Sequence, residues 1–403
     1  MTRALVKLLA LQQAEQWPEF IATLRKAVAK DPSVLAAPEI KQWCGRRWRD
    51  LFITAAADDP EAVTAATKSP LRGRDSRADR QRVAERFIRS EHRVEWQQVL
   101  PPADIPQLQK HTLLFAPGLL NGILPSRAFG DALPELQAEH GWKVLRADLH
   151  PLRGCEANVE DLKASLEQGV GLSADSEPQI DGPVPDRVII VGYSKGVPDV
   201  LTLLAKEPKL AKKVVAVFSW AGAIGGSFLA DDIHNSVKDM KSVRAGSAVS
   251  GLLKVINPFV QKGTTIKRAK ESNVKQALAD LTTDVRGVFT EQHRAAIDAL
   301  NIPIFNLTGS TTVTEAPYFQ MQGVMELNKY DANNDMQVTQ AQAKWPGNMG
   351  IDLCMLRGHH WDLSYSAFPR ALRMGSPNLD HPFPKKAAML AMMQLAAELG
   401  LID

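Results

Sequence analysis

The period of the apolar positions changes along the chain. Over the first hundred or so residues they recur at helical spacing: Ile21, Leu24 and Val28 share one face, and Trp48, Leu51, Phe52 and Ala55 another. This spacing predicts a helical region over residues 1–105, and Pro101, Pro102 and Pro106 mark a linker at its end. Beyond it, short β-rich runs alternate with helical ones. The strand candidates are 111–118, 142–149, 187–194, 214–220, 302–310 and 351–358. Helices are predicted from about 127 to 140, 158 to 168, 195 to 206 and 385 to 399. Strands alternating with helices predict an α/β fold, a mostly parallel sheet with helices on both faces. The nearly continuous apolar strands fit a sheet buried on both sides.

Two stretches break the alternation. Residues 171–185 are polar and carry prolines, which predicts a surface loop. Residues 227–300 form a longer excursion with an apolar helical stripe at Val249, Leu252, Leu253 and Ile256, then a second helical stretch up to Leu300. An insertion of this size after a strand is expected to form a helical cap or lid. The predicted organisation is therefore a helical region 1–105 and a sheet domain 106–403 bearing the cap-like insertion 227–300.

Composition narrows the classes without choosing among them. A net charge of +3 is near balance and gives no argument for a nucleic-acid partner. The arginine-rich run from Leu71 to Arg93 is interspersed with acids, so a solvated helix with internal ion pairs is expected; a basic patch for anionic lipid or nucleic acid is its rival. Cys44, Cys155 and Cys354 are odd in number and far apart, with neither disulfide-framework nor zinc-ligand spacing, and are expected as thiols in a reducing compartment. The N-terminal apolar run is interrupted by Lys7 and lacks a small-residue cleavage site, which predicts an amphipathic helix and not a signal peptide. No stretch reaches the ~20 apolar residues of a membrane span. A cytoplasmic protein is expected, with peripheral lipid contact left open.

The chemistry centres on Gly192-Tyr193-Ser194-Lys195-Gly196, a G-x-S-x-G pentapeptide. The buried run Val188–Val191 precedes it and an apolar helix follows, so Ser194 is expected on a sharp strand-to-helix turn with its hydroxyl above the sheet. Glycines two residues to either side remove side chains that would clash there. Two backbone N–H groups should form an oxyanion hole. One belongs to Lys195; the other is expected from the loop Ala116–Gly122, with Leu119 as the candidate.

The general base should follow the last strand, where His359 and His360 are adjacent. Neighbouring side chains point apart, so one of them faces Ser194, and His360 is preferred. The acid should lie between the strand ending near Ser310 and these histidines. Glu315, Asp331, Asp335 and Asp352 are the candidates, with Asp335 preferred, Asp331 second, and Asp352 poorly placed inside the strand. Asp331-x-Asn333-x-Asp335 also begins like a calcium loop, but Met336 stands where glycine is needed and Gln342 where a bidentate glutamate is expected. No cofactor is called for.

Taken together these residues resemble the α/β-hydrolase superfamily, and within it bacterial triacylglycerol lipases and related esterases, from about Lys110 to Asp403. Gly225-Gly-Ser-Phe-Leu-Ala-Asp231 resembles the lipases' glycine-serine-x-x-alanine-aspartate stretch, and Asn334-Asp335-Met-Gln-Val338 their asparagine-aspartate-glycine-x-valine acid loop. His360-Trp361 resembles the histidine loop of related hydrolases. Two positions depart from the lipase pattern: Pro117 replaces the histidine before Gly118, and Met336 replaces the glycine after the acid. The resemblance implies a carboxylic ester hydrolase with Ser194 as nucleophile, Asp335 as acid and His360 as base. A thioesterase, polyester depolymerase or acyltransferase on the same fold, or a catalytically degenerate binding module, are the alternatives.

Overall fold

The structure is a computed structural model that describes residues 3–68, 75–237, 268–373 and 376–403. Its strands are β1 (His111–Ala116), β2 (Val144–Arg146), β3 (Gly171–Leu172), β4 (Pro178–Gln179), β5 (Arg187–Tyr193), β6 (Val214–Trp220), β7 (Ile304–Ser310) and β8 (Gly350–Arg357). They form one sheet in the order β4-β3-β2-β1-β5-β6-β7-β8. The pairs from β2 through β8 are parallel, while β2–β3 and β3–β4 are antiparallel. The six sequence-predicted strands are all present. β3 and β4 were expected as surface loop; at two residues each they carry no readable period.

Alternation along the central strands splits the core in two. Leu113, Phe115, Ile189 and Val191 face one side, where they meet the helices Pro38–Ala57, Ala132–His140 and Lys385–Glu398. Leu114, Val188 and Ile190 face the other, against Cys155–Gln168 and Gly196–Lys206. The sheet is thus covered on both faces, as its apolar strands require.

The N-terminal helices share the first of these cores. Helix Pro38–Ala57 lies on β8 so closely that a methyl carbon at Gly45 would come within 2.9 Å of the Asp352 carbonyl oxygen. Buried Arg47 grips Glu398 and Asp50, and Arg49 grips Glu95 while donating to the Leu353 carbonyl. The segment after helix Asp79–Phe87 then pairs along β8, through an Ile88–Leu356 bridge and an Arg89 N–H bond to the Met355 carbonyl. This covers the free edge of the sheet. In the arginine-rich run, Arg77, Arg80, Arg82 and Arg89 all form ion pairs with carboxylates.

Of the 227–300 insertion, the structure describes helices Phe228–Val237, Val274–Ala279 and Thr283–Asp298. The stripe at Val249, Leu252, Leu253 and Ile256 lies outside the described residues. No described helix is long and apolar enough to cross a membrane.

Candidate active site

Ser194 stands in the turn between β5 and helix Gly196–Lys206, with φ +54°, a left-handed conformation unusual for a side-chain-bearing residue. The strain is held by its surroundings. The Ser194 N–H donates to the Trp220 carbonyl at 3.2 Å, and the Ser194 carbonyl accepts from Val197 and Ala223. A methyl carbon at Gly192 would come within 3.0 Å of Val197, and one at Gly196 would collide with the carbonyls of Ala116 and Pro117. One at Gly118 would lie 2.7 Å from Ser194 Cβ and 3.3 Å from its Oγ. Three glycines therefore let two loops close on the serine.

His360 and Asp335 are both buried and meet at 2.7 Å through Nδ1 and Oδ2. The other carboxylate oxygen of Asp335 accepts the N–H groups of Gln337 and Val338. The His360 N–H donates to the Asp335 carbonyl at 2.9 Å, and the Tyr193 hydroxyl donates to the His360 carbonyl at 3.0 Å. Imidazole and acid loop are thus clamped from three directions. His360 Nε2 has no hydrogen-bond partner among the described residues.

Ser194 and His360 line one apolar cavity of about 100 Å³. Leu119, Leu120, Ala223, Tyr365 and Val338 form part of its wall, and Leu229, Ile233, Leu278 and Leu281 reach it from the flanks of the insertion. Lys195 runs the other way. Its buried Nζ pairs with Asp199 at 2.6 Å, and although burial works against its charge, Asp199 holds its pKa above the ordinary value. Only the backbone N–H of Lys195 is therefore a candidate for contact with a substrate.

No family model matches the chain, and no curated protein does either. Among solved structures, the metagenomic carboxyl esterase MGS0156 superposes with a TM-score of 0.60 at 22% identity, over 88% of this chain and 92% of the esterase. The chain has the α/β-hydrolase fold. The lipase BlEst2 of Bacillus licheniformis in its mature form (TM-score 0.44, 21% identity, 65% of this chain and 89% of that one) and lipase 1 of Pelosinus fermentans (0.44, 16%, 70% and 98%) match less of it. Residues 106–403 make up less than three quarters of the chain, so the 88% match takes in part of the N-terminal helices as well.

Open α/β sheets bind ligands beyond the carboxyl ends of their strands, and the loops bearing Leu119, Ser194, Asp335 and His360 follow β1, β5, β7 and β8 there. The other sequence candidates are engaged elsewhere. His359 is buried, accepts the Asp362 N–H at Nδ1 and so donates from Nε2 to the Asn378 carbonyl at 2.7 Å. Burial depresses its pKa and keeps it neutral. Asp331 accepts the Asn333 N–H and closes its own turn. Glu315 pairs with Arg357 and Arg89, and Asp352 with Lys344. Met336, at the lipases' glycine position, has φ +74° and is held by the Asn334 side chain, which accepts its N–H. The loop keeps a glycine-like conformation without glycine. The three thiols are buried, and burial drives that of Cys354 up to about 12, so none is a ready nucleophile. Sequence reasoning passed over Tyr193, although it stands inside the pentapeptide; its role depends on a carbonyl 167 positions away. Tyr365 was passed over for the same reason.

Proposed function

We propose that the protein is a serine hydrolase of carboxylic esters. The observation that carries this reading is the buried His360 imidazole, held by Asp335 at Nδ1 and unpartnered at Nε2, lining the same cavity as a serine in a strained elbow. A buried polar atom left unpaired calls for an explanation, and for His360 Nε2 the place of its ring on the serine's cavity supplies one.

In the proposed reaction Ser194 Oγ attacks the acyl carbonyl while its proton passes to His360 Nε2. Asp335 fixes the tautomer with Nδ1–H and stabilises the imidazolium. The carbonyl oxygen, now negative, is met by the N–H groups of Lys195 and Leu119. The tetrahedral species collapses, the alcohol takes the proton from Nε2, and the acyl group stays on Ser194. Water then repeats the sequence, with His360 as base, and releases the acid. The apolar wall favours a hydrocarbon acyl group, and Leu229, Ile233, Leu278 and Leu281 make the insertion flanks the expected determinant of its length.

The test is labelling of the purified full-length chain with a fluorophosphonate, located by peptide mass spectrometry, alongside turnover of p-nitrophenyl esters of graded length. Label on Ser194 and saturable ester turnover are expected. Absence of both would return the chain to the class of binding modules.

A further inference from the structure

The loop 117–122 has two sides. Leu119 and Leu120 line the cavity of Ser194, whereas Pro117 and Asn121 line a second cavity of about 150 Å³. Arg127, Arg146 and Ser176 share its walls.

Arg146, on β2, is 3% exposed. Its Nε donates to the Ala174 carbonyl at 3.0 Å, Nη1 to Ala128 at 2.9 Å and Nη2 to Phe129 at 2.6 Å. Its guanidinium lies over the Phe115 ring, 5.1 Å from the centroid. Every one of these partners is neutral. A guanidinium has five N–H groups, so one remains on each Nη. Burial first, and then the charge of Arg127, draw its pKa down to about 10, with Asp131 and Asp175 acting in the other direction from beyond ion-pair distance. It is still a cation at neutral pH. A buried charge without a counter-charge carries a desolvation cost that a bound anion would offset. Arg127, by contrast, is exposed and ties one Nη to the Asp175 carbonyl. Among the described residues Asp148 is the single acid of the lining, so two arginines leave an excess of positive charge.

We propose that this second cavity binds a small oxyanion, a carboxylate or phosphate group, between Arg146 and Arg127. Arginine forks suit either group, because two parallel N–H bonds match two oxygens. Asn121 and Ser176 add neutral hydrogen-bonding groups to the same walls. The oxyanion is either a free ion or a carboxylate borne by the ester substrate. The binding itself does not depend on the hydrolase reading; only the second source does.

The test uses the full chain. Inorganic phosphate is titrated by calorimetry at ionic strength held constant with chloride. Saturable one-site binding is expected in the wild type, weakened at least tenfold by Arg127→Ala and lost in Arg127→Glu. Arg146 clamps three carbonyls, so exposed Arg127 is the safer probe. In a second arm, turnover of p-nitrophenyl butyrate is compared with that of mono-p-nitrophenyl esters of succinate, glutarate and adipate. A preference for the acidic esters that Arg127→Ala removes, with butyrate turnover unchanged, assigns the oxyanion to the substrate. Phosphate binding without that preference assigns it to a free ion. Equal phosphate affinity in wild type and Arg127→Glu, or none in either, combined with no preference for the acidic esters, overturns the proposal. Phosphate binding in a chain that hydrolyses no ester would remove the hydrolase reading and leave this one standing.

Discussion

His360 is joined to Asp335 twice, through its backbone N–H to the Asp335 carbonyl at 2.9 Å and through imidazole Nδ1 to carboxylate Oδ2 at 2.7 Å. The first bond sets the distance between the two loops, and the second sets the orientation of the ring. Replacing Asp335 by asparagine keeps the size and changes the tautomer preference. Asp335→Asn should therefore lower kcat on the order of 10²- to 10⁴-fold with KM little changed. Asp331→Asn, which alters only a local turn, should keep kcat within a few-fold. Steady-state kinetics on one ester compares them, and equal rates for wild type and Asp335→Asn would remove the acid from the proposed mechanism.

Ser194→Ala should cut ester turnover by at least about 10³-fold and abolish fluorophosphonate labelling. The elbow is held by backbone bonds to Trp220, Val197 and Ala223, none of which uses the hydroxyl, so the melting temperature should barely move. Near wild-type turnover in the purified variant would contradict the central claim.

The two histidines should separate by observable. His360→Ala should remove kcat and His359→Ala should mainly remove stability, because the Asp362 N–H and the Asn378 carbonyl both lose a buried partner at about 1–3 kcal/mol. Urea unfolding and kcat per folded molecule distinguish these effects. The reverse pattern would move the base to His359.

Acid should destabilise the fold through His359 and His381. Burial, the largest cause for each, depresses both folded-state pKa values below the ordinary 6.5. The unfolded chain therefore binds protons first. Their contribution is complete above pH ~6.5 and is lost as the pH falls below it. Urea midpoints at pH 7.5, 6.5 and 5.5 should decline in that order, and the decline should be shallower in His381→Gln. An identical slope in the variant would show that His381 contributes nothing to it.

The Tyr193 hydroxyl donates to the His360 carbonyl, and the two rings lie 4.9 Å apart. Tyr193→Phe keeps the ring and orphans the carbonyl. Stability should fall by about 1 kcal/mol, and kcat per folded molecule should fall several-fold. A variant of unchanged kcat would show that this clamp does not position the imidazole.

Leu229 and Leu281 reach the Ser194 cavity from the two flanks of the insertion. Leu281→Ala should enlarge it and shift the optimum of the p-nitrophenyl ester series to longer chains, at roughly 0.8 kcal/mol for each additional buried methylene. A profile unchanged from wild type in a stably folded variant would separate the insertion from acyl selection.

Much of this protein is written in short-range pattern. Six apolar runs alternating with helical ones suffice for a parallel sheet, because a strand buried on both faces must be apolar throughout. The pentapeptide after Val191 suffices for the elbow, because Gly192 answers a collision with Val197 that the turn itself sets; that Gly196 answers the carbonyls of Ala116 and Pro117, on the loop after β1, is visible only in the tertiary structure. Order along the chain narrows the acid and base to a few residues. Within that set Asp335 is preferred for its likeness to the lipase acid loop and His360 for its step to Trp361, but order along the chain does not say what the remaining carboxylates, Asp331, Glu315 and Asp352, are engaged with.

Only the tertiary structure divides those carboxylates, by giving Glu315 to Arg357, Asp352 to Lys344, Asp331 to its own turn and Asp335 to His360. The same holds for the helices of residues 1–105. Their periodicity predicts an apolar face but not what it packs on. In space, Phe52 stacks on Phe383 at 5.7 Å and Phe383 meets Trp220 at 5.8 Å, behind the carbonyl that holds Ser194. Such contacts join positions hundreds of residues apart, and no local period encodes them; they follow from which surfaces remain apolar once the sheet has formed, and from the loss in free energy if those surfaces stay wet.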